Sequence, residues 1–126
     1  HTRLDAPHAT IKKRSPLCGS TVTVDVTVEN GRITGFGQDV KACALGQAAA
    51  AVTGGAVIGL TLQDVQTGRD ALRAMLKSSG PVPGAPFDTF EVLEPARDYK
   101  NRHASILLSI EATAEAMEQA LQSNCA

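Results

Sequence analysis

The chain has 126 residues, a length that fits one domain with a modest hydrophobic core. Its 43% apolar and 20% charged residues are typical of a globular protein, and a net charge of −1 without a basic-aromatic cluster gives no reason to expect nucleic-acid binding. Aromatic residues are scarce, with no Trp, one Tyr and three Phe. Aliphatic side chains and alanine must therefore form the core.

Cysteine content and chain ends suggest where the protein resides. Three cysteines are an odd number and no signal peptide precedes them, which favours a reducing compartment, the cytoplasm, over a disulfide framework. The run from Ala44 to Leu60 is poor in charge, but it is too short and too rich in Ala and Gly for a membrane span. The sequence begins at His1, so we expect a trimmed N-terminus. Residues 1–126 are expected to form a single domain with a C-terminal tail after Leu121.

The first third of the chain carries strand signals. Ala9–Arg14 is predicted to be a short strand that ends before Pro16, because proline cannot join a central ladder. Thr21–Glu29 alternates strictly, with four valines on one face, and is predicted to be a half-buried antiparallel strand. Asn30-Gly31 is a strong signal for a type I′ hairpin turn. The alternation slips after the turn, and Gly35 is predicted to mark a β-bulge.

The remaining chain carries helix signals. An alanine-rich helix is predicted from Ala44 to Val52, ending at Gly54-Gly55. Thr61 is predicted to cap a second helix that runs to Lys77. Two further helices are expected, a short one over Phe87, Phe90 and Leu93 that ends at Pro95 and a last one from Asp98 to Leu121.

Strands come first and helices follow, which predicts an α+β fold with helices packed on one face of a three-stranded antiparallel sheet. The last helix carries an apolar stripe with residues three or four apart, and His103 lies one step earlier on that stripe. The stripe consists of Ile106, Ile110, Thr113, Met117 and Leu121.

The candidate site consists of Cys18, Cys43 and His103. Cys18 precedes the first strand of the hairpin and Cys43 follows the second, so the hairpin brings the two thiols to one edge of the sheet. Cys43 also begins a helix, whose positive end favours a thiolate. Two thiolates and an imidazole suit zinc or an iron–sulfur centre. Spacing alone is weak evidence for such a site.

Simpler interpretations apply to each of these residues. A buried cysteine is often just a small apolar side chain, and a lone histidine on an apolar helix face is commonly a hydrogen-bonded core residue. Cys125 is predicted to lie in a frayed tail. The residues alone do not decide between these interpretations and a metal site.

Five segments in order resemble the U-type iron–sulfur cluster assembly scaffolds, the NifU-like and IscU-like family. They cover most of the chain between Ala9 and Leu121. The segments are Ser15-Pro16-Leu17-Cys18-Gly19-Ser20, Asn30-Gly31-Arg32-Ile33, Ala42-Cys43-Ala44, Gly59-Leu60-Thr61-Leu62-Gln63-Asp64 and Arg102-His103-Ala104-Ser105-Ile106-Leu107.

The resemblance implies the α+β fold and a non-enzymatic role. Such scaffolds receive sulfur from a cysteine desulfurase, hold a [2Fe–2S] cluster or iron, and pass it to apo iron–sulfur proteins, with chaperones as further partners; neither nucleic acid nor membrane is implied. The ligands carried over are Cys18, Cys43 and His103, with Cys18 as candidate persulfide acceptor. Gly19, Ser20 and Ala104 are expected to be neighbours of the site.

The chain departs from the family pattern at three places. Ser20 stands where the family usually has Asp, Ala42 where it has Gly, and Ala104 where it has a third Cys, often just after a His. Two alternative functions follow, a zinc-binding sulfur acceptor of the same fold, with zinc in the purified protein, or a degenerate domain that binds no metal and acts through protein contacts.

Overall fold

The computed structural model describes residues 2–16 and 19–124, the last of these by its backbone alone. The first elements are three antiparallel strands, β1 (Ala9–Arg14), β2 (Thr21–Glu29) and β3 (Arg32–Lys41), in the sheet order β1-β2-β3. The predicted sheet is confirmed, and the bounds of β1 and β2 are those expected from the alternation of valine with polar residues.

The β2–β3 connection is the predicted type I′ hairpin. Asn30 and Gly31 have φ values of 53° and 77°, the left-handed region that this turn requires. Val28 pairs with Ile33, but Thr27 pairs with Gly35, so Thr34 is the extra residue of a β-bulge. The bulge restores the register in which the buried residues of both strands share a face.

The second half of the chain is helical, and Thr61 begins its best-capped helix. The Thr61 hydroxyl accepts from the backbone N–H of Asp64 at 3.2 Å, and the Asp64 carboxylate accepts from the Thr61 N–H at 3.1 Å. The elements are α1 (Ala44–Ala56), α2 (Leu62–Lys77), a 3₁₀ segment (Asp88–Asp98), a 3₁₀ turn (Lys100–Arg102) and α3 (His103–Asn124).

The first helix is longer than predicted. It passes through Gly54 and Gly55 and ends at Ala56, although each glycine costs helix stability. Its C-terminal end is anchored by tertiary contacts, since Val57 is fully buried and the Ile33 carbonyl accepts from the N–H of Gly59 at 2.8 Å. Packing against the sheet therefore outweighs the low helix propensity of the two glycines.

The region before α3 also differs from the prediction. Pro95 does not end a short α-helix but lies inside the 3₁₀ segment. From the residue before that segment onward, buried residues recur every third position, which is the period of a 3₁₀ helix; they are Phe87, Phe90, Leu93 and Ala96. The last α-helix accordingly begins at His103, not Asp98, and continues to Asn124, beyond the tail predicted after Leu121.

The core lies between the inner face of the sheet and α3. The four valines of β2 are at most 1% exposed, and the stripe residues from Ile106 to Met117 are equally buried. Burial of each valine, isoleucine or methionine side chain among them contributes about 1.5–3 kcal/mol. Within the described ranges, the structure contains no helix long and apolar enough to cross a membrane.

The outer face of the sheet carries a buried carboxylate. Asp25 of β2 has a side chain that is 0% exposed, and it forms an ion pair with Arg3 at 2.5 Å. It also accepts from the Thr10 hydroxyl at 2.6 Å and the Leu4 N–H at 3.0 Å. The alternation of β2 predicted that the Asp25 side chain would lie on the polar face of the strand. In the structure Arg3 and Leu4 cover this side chain, and Gly37, which pairs with Asp25, has no Cβ that would clash with them.

Replacing Asp25 should destabilise the protein at neutral pH. Burial alone raises the pKa of Asp25, but the hydrogen bonds from Arg3, Thr10 and Leu4 and the charge of Arg3 outweigh it, so the pKa lies below its ordinary value. The lowered pKa of Asp25 stabilises the folded state at pH values above the ordinary carboxyl pKa. This stabilisation is lost as the pH falls through the pKa that Asp25 has in the folded protein. We expect Asp25→Asn to cost about 1–3 kcal/mol in urea unfolding at pH 7.

The difference from wild type should shrink when the same unfolding is measured at pH 3. Asp39→Asn is the matched control, since Asp39 is an exposed carboxylate two residues from Gly37 on the same strand. Equal losses in the two variants would mean that the Asp25 hydrogen bonds contribute nothing specific.

Candidate functional site

The candidate site lies at the edge of the sheet where β2 begins and β3 ends. Thr21 pairs with Lys41, so Ser20 and Cys43, which flank this pair, come to the same edge. The structure therefore brings Cys43 to the same edge as Ser20, an expected neighbour of the site. Cys18 lies outside the described residues, and its approach to Cys43 stays a prediction.

The loop before β2 is closed by backbone hydrogen bonds. Ser15 N–H donates to the Ser20 carbonyl at 2.8 Å, and Gly19 N–H donates to the Ser15 carbonyl at 3.1 Å. Gly19 has a φ of 67°, which a residue with a Cβ rarely adopts. These contacts hold Ser15 and Gly19 beside the start of β2.

Cys43 occupies the N-cap position of α1, and its side chain makes no capping hydrogen bond. The thiol is half-buried, and its Sγ lies 3.7 Å from the Ser105 Oγ. Cys43 is therefore partly open to solvent and is held between the first and last helices of the fold.

The surroundings of Cys43 favour its thiolate. Burial by itself raises the pKa of Cys43, but the N–H groups of Gly46 and Leu45, the Ser105 hydroxyl and the positive charge of Arg102 outweigh burial and lower the pKa. The N–H groups belong to the first turn of α1, as the N-terminal position predicted. The thiolate is the form that binds metals and attacks sulfur.

Ser105 connects Cys43 to the start of β2. Its hydroxyl donates to the Ser20 Oγ at 3.0 Å, and the two serines are 1% and 4% exposed. A Cβ on Gly46 would lie 2.5 Å from the Ser105 Oγ and 2.8 Å from the Ala42 Cβ. The close approach of α1 to α3 at this point therefore requires glycine.

Sequence reasoning had singled out His103 and Ala104, not Ser105. A signal for Ser105 exists in hindsight, because small polar residues recur every fourth position along one face of α3. These residues are Ser105, Ser109 and Thr113, and all three are buried.

His103 is buried, but its ring is directed to the 3₁₀ segment. Its Nε2 lies 3.2 Å from the Ala96 carbonyl oxygen and 3.1 Å from that of Arg97. Because both partners are acceptors, Nε2 carries the proton and has no lone pair for a metal. This geometry matches the alternative of a hydrogen-bonded core histidine, and a ligand role for His103 stays a prediction.

The other predicted site residues have simple placements. Ala104 is half-buried beside Ser105, and Cys125 lies outside the described residues. Over residues 2–16 and 19–124, no group of three or more His, Cys, Asp or Glu side chains is arranged to hold a metal ion. The described part of the site is one thiol and two hydroxyls.

Comparisons with family models and with curated proteins find no match, whereas solved structures match well. The chain is 45% identical to a nitrogen-fixing NifU-like protein (N-terminal) from Brucella abortus, with a TM-score of 0.92 over 95% of this chain and 83% of that chain.

Two more distant structures share the fold at 20% identity. One, called a hypothetical protein, has a TM-score of 0.83 over 91% of this chain and 84% of its own. The other is assigned as an iron–sulfur cluster assembly scaffold for the SUF system (FiSufU) from Fervidobacterium islandicum AW-1, with a TM-score of 0.80 over 93% and 85%. At 20% identity, these two matches show only that the fold is shared.

A methyl group at Gly46 should disturb the site and the fold. Gly46→Ala would press against Ser105 and Ala42, and overpacking of this kind costs about 1–3 kcal/mol. Thermal unfolding checks the loss. Gly55→Ala, in the same helix, is the control, because a Cβ there meets nothing within 4 Å and alanine favours the helix. A Gly46→Ala protein as stable as Gly55→Ala would contradict the close approach.

The Ser105 hydroxyl should set the pH at which Cys43 reacts. Ser105→Ala removes one interaction that lowers the pKa of Cys43, so the thiolate should form at higher pH. We expect slower alkylation of Cys43 by iodoacetamide at pH 7, measured by peptide mass spectrometry over a pH series. Ser109→Ala is the control, since Ser109 bonds Gln38. An unchanged pH profile in Ser105→Ala would exclude the contact in solution.

Proposed function

Since the chain belongs to the NifU-like family, we propose that it is an iron–sulfur cluster assembly scaffold or carrier, which binds a [2Fe–2S] cluster or iron as cargo and transfers it to apo-proteins. The observation that carries the proposal is Cys43, a half-buried thiol with a lowered pKa at the edge of the sheet where β2 begins and β3 ends. Thiolates are the ligands that iron–sulfur centres use.

The position of Cys43 suits a ligand better than a structural residue. A purely structural cysteine is usually buried in apolar surroundings, where its pKa rises. Cys43 instead is partly exposed and lies among hydrogen-bond donors, including the N–H groups of Gly46 and Leu45. These donors stabilise negative charge on sulfur, whether the sulfur is a free thiolate or is bound to iron.

The proposed cargo would be held by few protein sulfurs. The chain has three cysteines, of which Cys125 is predicted to lie in a tail, so Cys18 and Cys43 remain as thiolate ligands. A fully closed site of four protein ligands is typical of permanent structural metals. A site with fewer protein ligands leaves positions open, through which cargo can enter and leave.

The proposed partners follow from the cargo. Sulfur would come from a cysteine desulfurase, with Cys18 as acceptor because the sequence predicts it to be the more accessible thiol, and Cys43 would serve as ligand. Apo iron–sulfur proteins would receive the cluster, with chaperones assisting. The protein would act by binding and release and would not be an enzyme in its own right.

Anaerobic reconstitution with iron and sulfide tests the proposal. We expect visible absorption bands of a [2Fe–2S] cluster in the wild-type protein and their loss in Cys43→Ser, because a hydroxyl does not replace a thiolate as a ligand for iron. Cys125→Ser is the matched control and should keep the cluster. Ser20→Ala should also keep it, since Ser20 is expected to be a neighbour and not a ligand.

One result would overturn the proposed function and a second would overturn the assignment of Cys43 as ligand. Wild-type protein that binds neither iron nor a cluster would favour a domain that acts through protein contacts alone. A cluster that persists in Cys43→Ser would place the ligands elsewhere in the chain. Analytical measurement of iron and sulfide in each sample separates a bound cluster from adsorbed iron.

A further inference from the structure

We infer that the outer edge of β3 and the neighbouring face of α1 form a groove that binds an extended segment of a partner protein, which adds to the sheet as a fourth strand. We call it the β3 groove. Its lining consists of three residues of β3 and three of α1, namely Gln38, Asp39 and Val40 together with Gln47, Ala50 and Ala51. The inference concerns a surface outside the thiol site and does not depend on the proposed cargo.

The β3 groove is a preformed cavity. Its volume is about 340 Å³, within the range of about 300–1,000 Å³ that is usual for ligand sites. The Gln38 side chain connects its two walls, because its Nε2 donates to the Ala50 carbonyl at 2.9 Å and its Oε1 accepts from the Ser109 hydroxyl at 2.8 Å. The strand and the helix are therefore held at a fixed spacing.

The strand β3 lies at an edge, because the sheet order is β1-β2-β3. In an antiparallel ladder, the N–H and C=O groups of successive residues point to opposite sides of the strand. On β2, the Val26 carbonyl accepts from the His8 N–H at 2.8 Å and the Val28 N–H donates to the His8 Nδ1 at 3.0 Å, both on the β1 side. The residues that alternate with these two along β2 therefore bond to β3.

The register shows which backbone groups of β3 point outward. Thr23 pairs with Asp39, so Asp39 directs its N–H and C=O to β2. The same groups of Gln38 and Val40, on either side of Asp39, point away from β2 to the groove that both residues line. Over residues 2–16 and 19–124 they make no hydrogen bond. Unpaired N–H and C=O groups at a sheet edge pair readily with another extended chain.

The walls of the groove define the side chains that fit it. Alternate residues of a strand point to opposite faces of the sheet. Gln38 and Val40 lie on the face that carries α1, a helix with no charged side chain, whereas the exposed Asp39 carboxylate lies on the other face. A strand paired here would therefore have apolar residues opposite Gln38 and Val40 and a basic residue opposite Asp39.

Asp39 also favours a separate peptide over a second copy of this chain. Two copies paired antiparallel through Gln38 and Val40 of both would bring their Asp39 residues opposite each other, and like charges directly opposite destabilise a sheet. A segment with the pattern apolar-basic-apolar meets no such repulsion. The groove therefore suits a tail or loop of a different protein.

The β3 groove ends close to the candidate site. Val40 is the last residue but one of β3, and Cys43 caps α1 three residues later. A partner anchored in the groove would therefore have the rest of its chain beside the thiol.

Nuclear magnetic resonance of the ¹⁵N-labelled full chain tests the groove. The probe is the peptide acetyl-Thr-Val-Lys-Val-Thr-amide, with a valine opposite each of Gln38 and Val40 and the lysine opposite Asp39. We expect the amide signals of Gln38 and Val40 to shift on titration, because both N–H groups gain a partner. Their hydrogen exchange should slow about 10-fold at about 90% occupancy, since only the unbound tenth exchanges freely. The Asp39 N–H, already bonded to β2, should change little.

N-methylated peptides separate main-chain pairing from side-chain contacts. In an antiparallel pair, the residues opposite Gln38 and Val40 exchange both hydrogen bonds with them. Methylating the nitrogens of the two valines should therefore weaken binding roughly 10-fold or more. Methylating the lysine nitrogen, which faces away from β3, is the matched control and should leave the affinity unchanged. Equal weakening by the two modifications would overturn strand addition.

Protein variants locate the binding on β3. Val40→Pro removes an N–H that points to the groove and not to β2, so the sheet stays paired and peptide binding weakens. Val40→Ala keeps this N–H and should bind the peptide as wild type does. Asp39→Lys should weaken binding of the probe and strengthen binding of acetyl-Thr-Val-Glu-Val-Thr-amide, a charge exchange that decides the matter even where proline disturbs the fold. Circular dichroism establishes that each variant is folded.

The outcomes decide between the possible occupants. Unchanged signals of Gln38 and Val40 at millimolar peptide would overturn the inference. A wild-type protein that sediments as a dimer and becomes monomeric in Val40→Pro would show that a second copy fills the groove, which would overturn it as well. Binding that requires the valine N–H groups, the Val40 N–H and a charge opposite to that of residue 39 supports it.

Discussion

The packing of α3 against the valine face of β2 is the contact on which the rest of the structure depends. The valines alternate along the strand, so all four present to one side, and each is at most 1% exposed. With few aromatic residues, the core has to be filled by aliphatic and alanine side chains at close range. The alanines at 112, 114, 116 and 120 let neighbouring elements approach α3 closely, and all four are fully buried.

The packing of α3 on the sheet sets the geometry of the candidate site. Once α3 lies on the sheet, its N-terminal end reaches the edge where β2 begins and β3 ends. Ser105 then meets Ser20 and Cys43, and Gly46 permits α1 to come within contact of α3. The thiol is thus held by helices that are themselves fixed by the core, so its hydrogen-bond donors need little rearrangement to stabilise a bound negative charge.

Buried polar groups are matched one by one. Ser109 donates to Gln38, Gln38 donates to the Ala50 carbonyl, and Thr113 donates to the Ser109 carbonyl. Across the described residues no buried side-chain nitrogen or oxygen lacks a partner. Unpaired polar groups inside a core cost free energy, and paired ones favour a single arrangement of the helices. On α3 this pairing fixes the rotation of the helix, and hence which residue faces Cys43.

Local patterns in the sequence determined the strands, the Asn30-Gly31 turn and the Thr61 cap, because alternation, turn chemistry and capping depend on residues near each other in the chain. The passage of α1 through Gly54 and Gly55, the 3₁₀ segment across Pro95 and the burial of Asp25 arise from contacts between distant segments, which outweigh local propensity. The direction of α3 side chains has the same origin. The motif singled out His103 and not Ser105, and only the rotation of α3 against the sheet turns the serine towards Cys43 and the histidine towards the 3₁₀ segment.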